Sequence, residues 1–211
     1  MTREFAKSIF ITILIFGSIG YFLIGDLAMP DFSFEKEKSH VKSKKPTANS
    51  NKSKYKTGQV LDGYRGVAVY YNGAVRNVFG RNTTDDGYNL GLKYQCVEFV
   101  KRFYYQAFNH KMPDSYGHAR DFFNNNVGDG EFNTARGMRQ FRNNSTTKPK
   151  IDDLVIMGPN AYNAFGHLFV ITKVGSGYIE FIQQNPGIGN PSRDQMDLIY
   201  KNGKWYIDSP E

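Results

Sequence analysis

The pattern of apolar and polar residues predicts one amphipathic helix near the middle of the chain. From residue 96 to residue 107, apolar or small side chains recur at the spacing of one helical face. These side chains are Cys96, Phe99, Val100, Phe103, Tyr104 and Ala107. Lys101 and Arg102 fall on the opposite face, and Gly91 and Pro113 can end regular structure on either side. We therefore predict a helix whose first turn begins near Cys96.

Short runs bounded by turn residues predict strands on both sides of this helix. The predicted strands are 66–71, 74–79, 153–157, 167–174 and 178–185, followed by a hairpin of 198–200 and 204–207 across Asn202 and Gly203. Two further short helices are predicted at 117–125 and 134–141. Helices followed by an antiparallel sheet indicate an α+β fold, with the N-terminal helices packed on the sheet.

An uncharged, apolar run at residues 8–24 (SIFITILIFGSIGYFLI) precedes this pattern. Its length is at the short end of the roughly 17–25 residues that span a bilayer, and exceeds the ~7–15 residues of a signal-peptide core. Residues 25–28 (GDLA) place an aspartate where a cleavage site needs a small residue. We predict an uncleaved membrane anchor within residues 1–30, with a cleaved signal peptide as the alternative.

The charges around this run give two answers about its orientation. Only Arg3 and Lys7 are cations before it, whereas five lysines follow within about 20 residues. A strict positive-inside count would place the rest of the chain in the cytoplasm. Because the first residues of such an anchor often decide its orientation, we expect a single-pass protein whose domain is periplasmic or extracellular.

Residues 31–57 are rich in Lys, Ser, Asn and Thr, and contain too few large apolar residues to fold alone. We interpret this segment as a disordered tether before a domain at 58–211. Residues 1–58 carry +5 of the chain's net charge of +7, so the basic character belongs mostly to the tether. The domain itself therefore shows no charge pattern of a nucleic-acid-binding protein.

Cys96 is the only cysteine in 211 residues, and its predicted place is the first turn of the helix. Unpaired backbone N–H groups and the helix dipole favour a thiolate there. The alternative is a buried cysteine that acts only as a small apolar side chain. His167 follows a glycine at the start of a predicted strand, and a histidine is what a nucleophilic cysteine needs.

The residue that orients His167 has two candidates. If residues 175–177 form a simple loop, His167 faces Asn185, and Gln183 shares that face because strand side chains alternate. Gln95, directly before Cys96, could donate its side-chain amide to an oxyanion. We find no metal-ligand spacing and no phosphate-binding glycine loop, and predict neither metal nor cofactor.

Several short motifs in this order resemble the CHAP family of cysteine- and histidine-dependent amidohydrolases and peptidases. They are residues 95–99 (QCVEF), Gly166 with His167, and the Gln-Gln-Asn of 183–185. Over about residues 58–208 the chain is most similar to the amidase domain of bifunctional glutathionylspermidine synthetase/amidase. The resemblance implies a papain-like fold, Cys96 as nucleophile and His167 as base. The family commonly has glutamate where this chain has Gln183. The resemblance therefore implies that Gln183, rather than Asn185, orients His167, with an amide in place of the usual carboxylate.

The expected function is a membrane-tethered cysteine amidohydrolase or endopeptidase that cleaves amide bonds of cell-wall peptides. One alternative is cleavage of a small glutathionyl-polyamine amide, which the resemblance favours and an anchor disfavours. The other is a binding module that has lost turnover, because an amide at Gln183 stabilises an imidazolium less than a carboxylate does.

Overall fold

The computed structural model describes residues 54–208 together with the backbone of Ile19–Gly20 and Phe22–Leu23. These residues form thirteen strands, one α-helix and one 3₁₀ turn. The strands are β1 (Ile19–Gly20), β2 (Phe22–Leu23), β3 (Val60–Tyr64), β4 (Val67–Tyr70), β5 (Arg81–Thr83), β6 (Asn89–Leu92), β7 (Phe132–Asn133), β8 (Met138–Gln140), β9 (Leu154–Met157), β10 (His167–Val174), β11 (Tyr178–Gln183), β12 (Arg193–Lys201) and β13 (Lys204–Asp208). The helix α1 is Cys96–Phe108, and the 3₁₀ turn is Ala119–Phe122.

The largest sheet has six strands in the order β1-β9-β10-β11-β12-β13, all antiparallel. The pairs β3-β4 and β5-β6 form separate two-stranded sheets, and β2-β8-β7 forms a third small sheet. Neighbouring strands of β9 to β13 are consecutive in sequence, because connections of two to nine residues return the chain antiparallel. The predicted α+β class is confirmed in its coarse form, with strands in the majority.

Helix α1 has the predicted start and apolar face, but Lys101 and Arg102 on the opposite face are buried as well. It begins at Cys96 after Gln95, whose backbone is extended, and ends at Phe108, because the left-handed φ of 50° at the capping residue Asn109 stops the helix. The backbone N–H of Asn109 returns to the carbonyl oxygen of Tyr104. Cys96 is thus the first residue of the helix, and the apolar face runs along the helix from that residue.

The sheet has an apolar cluster on each face. One cluster joins Phe99, Val100 and Phe103 of α1 to Leu168 and Val170 of β10. Alternate residues of the same strands point to the other cluster, which contains Phe169, Ile171, Ile179, Phe181, Leu198 and Ile207. Each fully buried apolar side chain contributes about 1.5–3 kcal/mol. Burial on both faces fixes β10 against α1, and with it the start of the strand at His167.

The prediction of several N-terminal helices is wrong. Residues 117–125 contain only the 3₁₀ turn. Residues 134–141 contribute strand β8, which follows a turn closed by the N–H of Gly137 on the carbonyl of Asn133. The strand predicted at 74–79 is a loop, in which the Asn72 side chain donates to the carbonyls of Ala74 and Asn77 and the Asn77 side chain donates to the carbonyl of Asn72. In each stretch turn chemistry outweighed a weak apolar period.

The predicted anchor at 8–24 falls mostly outside the described residues. Within that run, β1 pairs with β9 and β2 with β8, which differs from a continuous helix. Apolar runs of this kind are ambiguous between the two structures. Among the described residues no helix has the length and apolar character to cross a bilayer. Membrane anchoring therefore stays a prediction, as does the tether, whose residues 31–53 are also outside the described part.

A buried ion pair on α1 gives the first testable prediction. Arg102 Nε lies 2.6 Å from Glu98 Oε1, and the side chains of Glu98 and Arg102 are only 1% and 6% exposed. Glu98→Gln leaves the buried guanidinium without its counter-charge, so we expect the free energy of unfolding to fall by about 3–5 kcal/mol in urea denaturation. The control is Glu180→Gln, which breaks the exposed pair with Lys173 and should cost about 0–1 kcal/mol. Equal small losses in both variants would contradict the prediction.

Candidate active site

A cavity of about 470 Å³ opens at the first turn of α1. Cys96 from the helix and His167 from the start of β10 both line it, together with Gln95 and Asn185. The elements α1, β10 and β11 meet at this cavity. Helix α1 packs on β10, and β11 ends beside the start of β10. The structure thus brings the predicted cysteine and histidine to one cavity.

The Cys96 thiol is partly buried, and backbone N–H groups surround it. The backbone N–H groups of Leu168, Val97 and Cys96 itself lower the pKa of the thiol, because their dipoles favour the thiolate. Burial acts in the opposite direction and is the larger effect, so the pKa of Cys96 is raised to about 11. The expectation that the helix N-terminus favours a thiolate is therefore wrong for the resting site, where desolvation dominates.

His167 is held by the side-chain amide of Gln183. The ring Nε2 lies 2.9 Å from Gln183 Oε1, and Gln183 Nε2 donates to the carbonyl oxygen of Pro191 at 3.1 Å. Because the Pro191 carbonyl can only accept, the amide nitrogen must face it and the amide oxygen must face the ring. His167 therefore donates through Nε2–H, and its Nδ1 keeps a free lone pair.

The imidazole is neutral in this setting. Burial lowers the pKa of His167 to about 4, and the hydrogen bond to Gln183 offsets only part of that shift. Cys96, whose pKa is raised, lines the same cavity, so both shifts favour a thiol and a neutral imidazole near pH 7. His167 is thus equipped to act as a general base that takes the thiol proton during attack.

The residue that orients His167 had two candidates, Asn185 from the strand register and Gln183 from the family resemblance. Each argument describes part of the structure. Phe169 pairs with Gln183, and this register, extended by two residues, places Asn185 opposite His167. A register shift between Ile171 and Lys173 adjusts the pairing nearer the loop. Strand β11 ends at Gln183, however, and Asn185 has a left-handed φ of 58°. Gln183 reaches the ring as a diagonal neighbour, whereas the side-chain amide of Asn185 bonds Val75 and Gln95.

Asn185 instead fixes the loop beside the helix start. Its Nδ2 donates to the carbonyl of Val75 and to Gln95 Oε1, at 2.9 and 2.7 Å. Gln95 Nε2 donates in turn to the carbonyls of Val75 and Asn77, at 3.1 and 2.7 Å. Since these backbone carbonyls engage the Gln95 amide nitrogen, the predicted oxyanion role of Gln95 would require breaking one of these bonds.

The first backbone N–H groups of α1 are better placed for an oxyanion. No side chain caps the N-terminus of this helix, and the N–H groups of Cys96 and Val97 lie beside the sulfur. Such groups have no partner inside the helix. They can therefore receive negative charge that develops next to the sulfur.

Sequence reasoning missed Gln184, which ties the helix to the sheet. Its Nε2 donates to Glu98 Oε2 at 2.8 Å and to the Gln95 carbonyl at 3.0 Å, while its Oε1 accepts from the N–H of Tyr70 at 2.8 Å. Gln184 is fully buried. Because side chains alternate along a strand, Gln184 is expected on the face opposite Gln183. This alternation could have indicated that Gln184 joins the helix to the sheet.

No group of three or more His, Cys, Asp or Glu residues that could hold a metal ion occurs in the part of the chain that the structure describes.

Residues 85–185 match the family model of the CHAP domain. The chain contains a CHAP domain. A curated relative, trypanothione synthetase of Crithidia fasciculata, is 30% identical over 144 residues. That match covers 67% of this chain and 22% of the relative, so the chain spans about a fifth of that relative's length.

Cys96 and His167 both lie within the CHAP match, as do Gln183 and Asn185 at its C-terminal end. CHAP domains are amidase- or peptidase-type hydrolases, and the resemblance expected from the short motifs is confirmed at the level of the family. The specific role of each residue remains a proposal that the geometry supports.

The lowered pKa of His167 gives a prediction about the pH profile. The base stays unprotonated down to its pKa of about 4, so kcat/KM should fall with acidification only near pH 4 rather than near 6.5. Gln183→Glu places a carboxylate beside the ring, which stabilises the imidazolium and should move this acid limb upward by about one pH unit or more. The measurement is the profile of kcat/KM between pH 3.5 and 9, with Gln195→Glu on exposed β12 as the control. An acid limb that is the same in both variants would contradict the assignment of Gln183.

Proposed function

We propose that this protein is a cysteine amidohydrolase in which Cys96 is the nucleophile and His167 the base. The observation that carries the proposal is the orientation of His167. Gln183 accepts from Nε2–H and leaves Nδ1 with a free lone pair in the ring that shares the cavity with Cys96. A neutral amide therefore suffices to orient this histidine, as it does in other papain-like sites.

The proposed reaction is acyl transfer in two stages. His167 Nδ1 takes the thiol proton as the sulfur forms a bond to the carbonyl carbon of the substrate amide, and the N–H groups of Cys96 and Val97 bind the oxyanion. The intermediate collapses when the carbon–nitrogen bond breaks, and the imidazolium returns its proton to the leaving amine. Water then attacks the thioester with its proton accepted by Nδ1, releasing the acid and restoring the thiol.

We propose peptide amides of the cell wall as the substrate class. The apolar run at 8–24 and the lysine-rich segment at 31–57 support a tethered domain outside the cell, where a flexible link lets a domain search a nearby polymer. In this proposal the partners are the membrane and the wall peptide, and nucleic acid is not one of them.

A small amide of the glutathionylspermidine type is the second candidate substrate. It is supported by the match to part of a protein named trypanothione synthetase, and by the resemblance of the motifs around Cys96. This candidate needs no anchor and would suit a cytoplasmic domain.

The test combines labelling with turnover. At pH 7 a thiol-directed electrophile should modify Cys96, and His167→Ala should slow the reaction at least ~10-fold because general-base assistance is lost. His118→Ala is the matched control, since His118 also lines the cavity but is exposed and belongs to another segment. If the labelling rate is unchanged in His167→Ala, the result would favour the alternative function, a binding module that has lost turnover.

Released amine is then measured on wall-type peptides and on glutathionylspermidine. Turnover of the peptides that is lost in Cys96→Ala supports the leading proposal, and turnover of glutathionylspermidine alone supports the second candidate. If neither is hydrolysed although Cys96 is reactive, both substrate proposals are wrong.

A further inference from the structure

The walls of the active-site cavity carry positive charge only. Arg76 and Arg81 line it beside Cys96 and His167, and no aspartate or glutamate is among the described residues that line it. A cleft with cations and no acids attracts anionic groups and disfavours cationic ones. The cavity therefore selects for charge as well as shape.

Neither arginine is neutralised by a carboxylate in the part of the chain that the structure describes. Arg81 donates through Nη1 to the amide oxygen of Asn89 at 2.9 Å, and its guanidinium lies 5.4 Å from the centre of the Tyr116 ring. Arg76 makes no hydrogen bond or ion pair with another described residue. Arg81 is thus held in place with most of its N–H donors available, and the exposed Arg76 has no described partner that a ligand would have to displace.

A buried amine lies behind the wall that Asn89 and Ser115 form. Lys101 is fully buried, and its Nζ contacts the backbone carbonyls of both residues. Burial, together with repulsion from Arg136 and Arg81, lowers the pKa of Lys101 to about 7. The carboxylate of Asp114 acts against this shift, but it is half exposed and 3.7 Å from the buried guanidinium of Arg136.

We propose that the substrate carries a free carboxylate, and that Arg81 and Arg76 bind it at the rim of the cavity. This inference rests on the proposed amidohydrolase function and specifies the chemical class of its substrate. A guanidinium presents paired N–H donors that match a carboxylate, and Arg81 is already positioned by Asn89 and Tyr116. The exposed apolar side chains of Val75, Val78 and Phe165 border the same cavity and would contact the adjoining chain of the substrate.

The test uses paired substrates that differ by one charge. Each peptide amide of the panel described above is made in two forms, with one carboxyl group either free or converted to a carboxamide. Charge-assisted hydrogen bonds to arginine predict a preference of about 10- to 100-fold in kcat/KM for the free acid. The same preference is measured as the ratio of dissociation constants with Cys96→Ala protein, which needs no turnover.

Three variants identify the residues responsible. Arg76→Gln removes a side chain that has no partner to lose, so it tests the inference without disturbing the fold. Arg81→Gln should reduce the acid-to-amide ratio more, and Arg81→Lys should restore part of it because the charge remains without the paired donors. Arg139→Gln is the control, because Arg139 is also exposed and bonds one neutral acceptor, the carbonyl of Gly130, away from the cavity.

The outcomes separate this inference from the proposed function. Hydrolysis of acid and carboxamide at equal rates would leave the amidohydrolase standing and overturn the carboxylate site. A binding preference without turnover would support the carboxylate site and count against hydrolysis. Paired peptides that do not differ in either measurement, or a ratio that falls as much in Arg139→Gln as in Arg81→Gln, would also overturn the inference.

Discussion

The chemistry proposed for this domain depends on one hydrogen bond, between Nε2–H of His167 and the side-chain oxygen of Gln183. That bond has a direction only because the amide nitrogen of Gln183 is committed to the carbonyl of Pro191. If the Gln183 amide were reversed, its oxygen would face the carbonyl oxygen of Pro191, and both groups can only accept. The Pro191 carbonyl, which lies outside the cavity, therefore decides the tautomer of the His167 ring. In the proposed mechanism Gln183 acts only through His167, as a positioning residue.

Three adjacent residues at the end of β11 divide the work of building the site. Gln183 orients the base, Gln184 joins α1 to the sheet through Glu98, and Asn185 holds Gln95 and the loop at Val75. The division follows from the backbone. Successive strand residues point to opposite faces, and the left-handed conformation of Asn185 turns its side chain away from the ring. A carboxylate at the position of Gln183 is not required for this geometry.

Sequence reasoning located the helix and the main strands because their apolar periods are strong and their ends are marked by turn residues. Cys96 as the first residue of α1 and His167 as the first residue of β10 are both found as predicted. The short helices failed where side-chain and backbone hydrogen bonds of asparagine and glycine set the local structure. The protonation state failed for another reason: a helix N-terminus is visible in a sequence, whereas the burial that outweighs it depends on the packing of α1 against β10.

The most direct test of the account is the tautomer of His167, observed by the ¹⁵N chemical shifts of its imidazole ring in labelled protein at pH 7. We predict a neutral ring with the proton on Nε2 and a bare Nδ1, and the pattern should weaken in Gln183→Ala, where the ring loses its acceptor. An imidazolium at pH 7, or a neutral ring protonated on Nδ1, would contradict the proposed roles of Gln183 and of His167 as the base for Cys96.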